Sequence, residues 1–487
     1  MPLPHSLMQQ EIRRRLARVR AAMREKSYDA LIVYGDNKVR GSLRYLTDYF
    51  PDRAGWVSLG ATETYLFEGA AFVLSKEGEG VLLCDPGLTP SKEVFADKVV
   101  TGGFAASKEV GLSASYLEGL LKDWKARRAG IETWDRFPAP LYLDLAKRLP
   151  HTRLEKSTIV EELRLVKSPL ELEIMSRGAR NGDAAHAAVV SALRTGAATE
   201  LEVIRVAEAV MRNADPVYED MVSLSPSLIC SGFPLAGSLL HHPRGWKRIE
   251  PGDVVHWDIT SQYEGYAIDT SRTKTLGRPT EPQVRAYQAV LTIFGEVLKA
   301  AKPGLPAVDL VTLAVRVARD CGFEFWGPFL GHGAGLDLHE RPDLVREATL
   351  LQADMVLAIE PRLAIGEMYL MGVEDLVHVT ESAASRSIGS RRNPSRSRHA
   401  DAGPAASMAV LGCRGCVDRG HPVLDGVGRS AQYAVQGKGR KDQEQHYAQD
   451  DQDVLRCRLP GLVPVKRLRQ PCSRILQRKH WCAPLPR

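Results

Sequence analysis

Apolar and polar positions along this chain recur with two periods, and the places where the period changes divide it. Residues 10–26 repeat apolar residues at helical spacing with arginines between them, which predicts an amphipathic helix. The run Ala30-Leu31-Ile32-Val33-Tyr34, closed by Gly35-Asp36, reads as a buried strand and a turn. Further strands are expected over 64–74 and 80–83, and helices near 113–126 and 139–148. This alternation is that of an α/β domain over residues 1–158, with 149–157 as the crossover out of it. Its histidines and acids are isolated, so its expected tasks are dimer contacts and shaping one wall of a site that lies elsewhere.

From residue 159 the helix starts are marked by their caps. Ser168-Pro169-Leu170-Glu171 combines an N-cap Ser, Pro at the first helical position and Glu at the third; Thr199 to Glu202 and Thr280 to Gln283 repeat the device. Apolar residues continue at helical spacing through Ile174, Met175 and Ala185, through Leu201, Ile204 and Met211, and through Val284, Tyr287, Leu291 and Leu298. A fourth helix is expected over 307–321. Between the helix pairs, 254–260 and 266–275 read as a hairpin with its turn within 262–265. After the second pair, 355–365 and 369–380 read as another hairpin. Helix pair plus hairpin, twice, predicts a pseudo-symmetric α+β domain over 159–385 whose curved sheet encloses a central cleft.

The hairpins carry the chemistry. With a symmetrical register Asp258 and Asp269 lie directly opposite each other, roughly 4.5 to 5.5 Å apart at Cβ. Two facing anions persist in an apolar sheet if they are exposed, share a proton, or hold cations between them. Glu360 and Glu374 repeat the arrangement about a turn at Gly366-Glu367. Between the two pairs stands Gly331-His332-Gly333-Ala334-Gly335-Leu336-Asp337-Leu338-His339-Glu340, whose glycines let backbone and substrate approach one His closely. Their spacing does not match a dinucleotide loop. Each acid alone has a bland explanation as a surface group. Four carboxylates and a glycine-flanked His converging on one cleft call for divalent cations.

Charge and cysteines change the picture only at the C-terminus. The formal charge of +6 over 487 residues conceals a division. Residues 386–487 hold 20 Lys and Arg against 8 Asp and Glu, which leaves an acidic body with no electrostatic footprint for nucleic acid. Five of the eight cysteines are also in that tail; Cys84, Cys230 and Cys321 are scattered through the body, a cytosolic usage with no disulfide framework. The tail lacks sustained periodicity and reads as a disordered extension or an out-of-frame translation, since Cys413-x-x-Cys416 has no second paired half. No signal-peptide core or run of membrane-spanning length is evident. The expectation is a cytoplasmic protein without membrane or nucleic-acid partners.

The ordered set His241, Asp258, Asp269, His332, His339, Glu360 and Glu374 resembles that of the pita-bread metallopeptidases: prolidase, aminopeptidase P, methionine aminopeptidase and their creatinase-type relatives. The resemblance is carried by Pro251-Gly252-Asp253-Val254-Val255, by residues 265–273, by residues 331–340 and by Ile359-Glu360-Pro361, and it covers roughly 159–381. The N-terminal part is similar to the smaller domain of the prolidase, aminopeptidase P and creatinase branch, which methionine aminopeptidases usually lack. This resemblance implies two divalent metal ions, with Asp258 on one, Asp269 and Glu374 bridging both, and His332 with Glu360 on the other. It further implies a bridging hydroxide as nucleophile, Glu360 as the proton shuttle, and His241 and His339 outside the metal shell as partners of the substrate carbonyl. The oxygen-rich donor set suits manganese first, and cobalt, zinc or iron as well. A homodimer is implied by the N-terminal domain.

The resulting expectation is an Xaa-Pro peptidase of prolidase or aminopeptidase P type acting on small peptides. Two departures bear on it: Gly372 stands where these enzymes commonly carry Arg, two residues before the last Glu, and Pro328 stands where aminopeptidase P-like enzymes often carry His. They open the alternative of a hydrolase or lyase for a small nitrogen- or sulfur-containing metabolite, such as ectoine, creatine or a sulfonium compound. A non-catalytic binding protein is a third class, although such relatives typically lose ligands and this chain keeps five.

Overall fold

Helix α1 (His5–Glu25) realises the first predicted helix and buries Ile12, Val19 and Met23 of its apolar stripe. The computed structural model describes residues 5–36, 38–49, 51, 69–84, 94–101, 112–195, 198–214, 227–232, 243–325, 327, 329–365, 369–381 and 386–387. His241, Pro328, the expected turn at Gly366-Glu367, residues 64–68 of an expected strand and the tail from 388 onward lie outside the described residues.

After α1 come β1 (Ala30–Gly35), α2 (Gly41–Thr47), β2 (Ala70–Ser75), β3 (Gly80–Cys84), β4 (Lys98–Thr101), α3 (Ala114–Asp123), β5 (Arg128–Glu132), α4 (Ala139–Arg148) and β6 (Arg153–Lys156). The strands form one mixed sheet in the order β4-β3-β2-β1-β5-β6. β1 is apolar at successive positions because both its faces are covered. Leu31 and Val33 pack in one cluster with Ile12 and Val19 of α1, and Ala30 and Ile32 in another with Leu117 of α3 and Leu145 of α4. One expectation is corrected here: 149–157 is not merely a crossover, since Arg153–Lys156 pairs in parallel with β5 as the edge strand. An edge strand bonds on one side only and tolerates charge, so Arg-Leu-Glu-Lys concealed it.

The chain continues through α5 (Ile159–Arg164), α6 (Pro169–Thr195), α7 (Glu200–Ala214), β7 (Leu228–Ser231), β8 (Val254–Tyr263), β9 (Tyr266–Thr275), α8 (Glu281–Ala300) and α9 (Ala307–Asp320). Then follow β10 (Gly331–Gly333), β11 (Glu340–Asp343), β12 (Val356–Ile359), β13 (Arg362–Ile365), β14 (Tyr369–Gly372), β15 (Asp375–His378) and β16 (Arg386–Ser387). The predicted caps form: Ser168 N donates to Glu171 Oε2 at 2.9 Å and Glu171 N to Ser168 Oγ at 3.2 Å, and Thr199 with Glu202 repeats the exchange. Helices α6 and α7 cover the first hairpin, where Ala185, Val189, Val203 and Ile204 pack with Trp257 and Ile259. Helices α8 and α9 cover the second, where Ile293, Leu310 and Ala314 pack with Leu357, Ile359, Leu363 and Met371. The expected repeat of helix pair and hairpin is thus present. Because side chains alternate along a strand, the opposite face of both hairpins is left for polar groups.

Three ties run to the loop that carries His339, two from the N-terminal part and one from α5. Asp337 Oδ1 accepts from the backbone N–H of Arg40 (3.1 Å) and Gly41 (2.9 Å), and Arg164 Nη2 pairs with Asp337 Oδ2 at 2.7 Å. Arg164 also contacts Glu340, and Lys167 Nζ lies 3.3 Å from the same carboxylate. The N-terminal part therefore does form a wall beside this loop. No helix among the described residues is long and apolar enough to cross a membrane.

Candidate metal centre

The first hairpin turns one residue later than the sequence midpoint suggests. Tyr263 pairs with Tyr266 across Glu264 and Gly265, both at positive φ (48° and 84°), the backbone that a two-residue hairpin turn requires and that Gly265 adopts without steric cost. Asp269 therefore faces Thr260, and Asp258 faces Ser271. The two aspartates are diagonal neighbours on one face and not directly opposite, a correction of the symmetrical register. The second hairpin fulfils its expectation: Ile359 pairs with Asp375 and Arg362 with Gly372, so the common register puts Glu360 opposite Glu374 in the gap between the two ladders.

The hairpins meet at one point. Ser271 N donates to Glu374 O at 3.2 Å and Glu374 N to Ser271 O at 3.0 Å, aligning Asp258, Ser271, Glu374 and Glu360 across adjacent strands. From the far side, Glu360 N donates to Leu330 O at 2.8 Å, and β10 pairs His332 with Ala358. Gly331 makes that approach feasible, since a Cβ there would collide with Ala358 O. Carboxylate or imidazole atoms of Asp258, Asp269 and Glu374 lie within 4.8 Å of one another. So do those of His332, Glu360 and Glu374, and those of Asp269, His332 and His339.

The five residues Asp258, Asp269, His332, Glu360 and Glu374 are all buried, none more than 6% exposed. His332 Nδ1 stands 2.9 Å from Gly333 O, an atom that only accepts, so Nδ1 carries the proton and Nε2 presents its lone pair. Nε2 lies 3.5 Å from Asp269 Oδ2 and 3.9 Å from Glu360 Oε1. Burial holds this imidazole below its usual range despite the nearby acids, so these contacts are between neutral ring and carboxylate rather than ion pairs. His339, exposed at the edge of the site, sets its ring 4.0 Å from that of His332. Partial enclosure, His332 and Arg362 push it down to about 4, leaving it neutral at pH 7.

Sequence reasoning overlooked Arg362. It follows Glu360 by two, hence shares its face of the strand, and its Nη2 contacts Glu360 Oε2 and lies 3.8 Å from Asp258 Oδ2. The absence of an arginine at Gly372 thus does not leave the site without a guanidinium.

Residues 173–381 match metallopeptidase family M24, and residues 15–166 match the Creatinase/Prolidase N-terminal domain. Over residues 173–381 the chain is similar to metallopeptidase family M24. An Xaa-Pro dipeptidase of Pyrococcus furiosus is 32% identical over 47% of this chain and 64% of its own length. An uncharacterized peptidase of Bacillus subtilis, YqhT, is 33% identical over 46% and 62%. The chain thus spans under two thirds of the length of these curated relatives. A solved Xaa-Pro dipeptidase from Bacillus anthracis superposes with a TM-score of 0.64 at 25% identity, covering 78% of this chain and 98% of that one. The prolidase from Pyrococcus horikoshii shares the fold with a TM-score of 0.61 at 24% identity, covering 77% and 98%.

Similarity to a metallopeptidase family implies divalent metal ions, and the residues present fit them. Asp258 Oδ1, Asp269 Oδ1, His332 Nε2, Glu360 Oε2 and Glu374 Oε2 are buried without a hydrogen-bond partner among the described residues. Glu360 Oε2 does touch Arg362, but as an ion pair outside hydrogen-bond geometry. Buried polar atoms are rarely left unpaired, and five lone-pair donors left so at one point are what a cation site needs.

Without metal the cluster answers to pH. Burial pushes Asp269 up to about 6 and Glu360 up to about 7, against the pull of Arg362. Burial and then the neighbouring acids raise Asp258 and Glu374 well above the usual range. These carboxyls bind protons more tightly folded than unfolded, where they titrate near about 4. The contribution of Asp269 and Glu360 to stability is therefore full below that pH and lost as pH rises through about 6 and about 7. The thermal midpoint of metal-stripped protein is expected to fall over this window, and divalent metal to suppress the fall. Equal slopes with and without metal in calorimetric scans would contradict the cluster's role.

Proposed function

We propose that the chain is a metal-dependent Xaa-Pro peptidase of prolidase type whose two divalent ions, manganese first among them, are held by Asp258, Asp269, His332, Glu360 and Glu374. The observation that carries this reading is the convergence, at one buried point, of atoms from these five residues that have no hydrogen-bond partner among the described residues. Asp258 belongs to one ligand group, His332 and Glu360 to another, and Glu374 to both, which supports Glu374 as a bridge. Asp269, grouped with Asp258 and also close to His332, supports the same role. The relatives and neighbours named above that carry a stated activity are Xaa-Pro dipeptidases and prolidases, which favours a peptide over the metabolite alternative.

When bound, the ions supply Lewis-acid polarisation of the scissile carbonyl and a water acidified enough to attack at neutral pH. Glu360 would serve as the proton carrier, accepting a proton from the attacking water and returning it to the leaving nitrogen, which must be protonated to depart as an amine. Neutral His339 keeps one ring N–H to donate to the carbonyl oxygen as it gains charge. His241 is assigned the same kind of contact, from outside the described residues. A homodimer in the cytoplasm belongs to the same reading.

The test is one substrate panel on manganese-loaded protein: Xaa-Pro dipeptides, longer Xaa-Pro peptides, creatine, ectoine and a sulfonium propionate. Proline release from dipeptides, at a modest rate, is the expected result. Release of the first residue from longer peptides alone would shift the assignment to aminopeptidase P type. Turnover of a metabolite with no proline peptide cleaved would overturn the peptidase reading.

A further inference from the structure

Arg362 and Gly372 are register partners on β13 and β14. The Arg362 side chain is buried, and its head-group contacts among the described residues are with acids of the cluster itself, Glu360 and Asp258. Its Nε has no hydrogen-bond partner among them. Glu374 and Asp269 also lie within its electrostatic reach. Across the ladder, a Cβ on Gly372 would stand 3.1 Å from Arg362 Cγ and 3.6 Å from His256 Cε1, the first closer than ordinary packing allows. Glycine there gives the arginine stem its room. Four buried carboxylates thus face one guanidinium that little besides them holds.

We propose that Arg362 is a built-in counter-cation of the metal site, which neutralises the carboxylate cluster when no ion is bound and opposes ion entry, so that it sets metal affinity. The inference rests on the reading of these acids as metal ligands. A guanidinium beside Glu360 Oε2 stands where an ion would approach that oxygen, and it repels a divalent charge in a buried setting where screening is weak. An orienting partner of a metal ligand would act in the opposite sense, since its loss weakens binding. As a counter-cation, Arg362 stabilises the metal-free fold, weakens affinity and keeps the ions exchangeable, making occupancy responsive to metal supply.

The test is manganese titration of metal-stripped wild type, Arg362→Gln and Arg362→Met by calorimetry and chelator competition, with thermal unfolding of each form. Both variants are expected to bind manganese tighter by on the order of tenfold, given the size of like-charge repulsion at these separations. Both should melt earlier than wild type without metal and recover when loaded. Unchanged or weaker binding in both variants would overturn the proposal. So would variants that remain unfolded at saturating manganese, because the ions should replace the lost charge. A wild type that binds no manganese would remove the metal reading itself, and the wild-type titration separates that outcome from the others.

Discussion

Asp269→Asn and Glu374→Gln are each expected to lose activity and bound metal together, with affinity falling by at least about a hundredfold, the upper end of what loss of an outer-shell partner costs. Both carboxylates reach two groups of potential ligands: Asp269 stands with Asp258 and Glu374 and also 3.5 Å from His332 Nε2, and Glu374 stands with the aspartates and with His332 and Glu360. An amide offers one neutral oxygen where the carboxylate offers two charged ones, so neither variant can serve both groups. Stability should move the other way. Replacing one of four like charges in a buried cluster relieves repulsion, so the metal-free variants should melt no lower than metal-free wild type. Elemental analysis beside calorimetry separates a lost ligand from a damaged fold. Two ions retained with normal turnover in either variant would contradict the bridging assignment.

Chelation of the wild type is expected to have the second largest effect. Binding that occurs in the folded chain alone stabilises it by about 2.7 kcal/mol per site at a hundredfold excess over Kd. For a chain this long that corresponds to several degrees of melting temperature per ion. Withdrawal of metal should therefore lower the melting temperature and abolish turnover together, and manganese or cobalt should restore both. Full turnover in a stringently metal-free preparation would exclude the metal-dependent mechanism. So would a melting temperature indifferent to chelator and metal alike.

The helix pairs were legible because their caps and apolar spacing are local signals, as the exchanges at Ser168 and Thr199 bear out. The second hairpin was legible to the residue: Glu360 and Glu374 share a register fixed by strands that are apolar on one face. The first was not, because register depends on which pair of residues takes positive φ, and Glu264-Gly265 lies one step beyond the midpoint between the aspartates. Strand β6 escaped notice because an edge strand imposes little apolar demand on its sequence. Arg362 was missed although period-two alternation put it on the face of Glu360; an arginine beside a carboxylate reads as a surface pair until burial is known. The ties of Asp337 to Arg40, Gly41 and Arg164 join segments more than a hundred residues apart and leave no periodic trace.

The central claim is that these five side chains hold divalent metal, and anomalous scattering from crystals of the manganese-loaded protein tests it most directly. The account predicts two anomalous peaks, one ligated by Asp258 and one by His332 and Glu360, with Asp269 and Glu374 shared between them. Loaded protein with no anomalous density among these residues, or with its metal bound elsewhere, would contradict it.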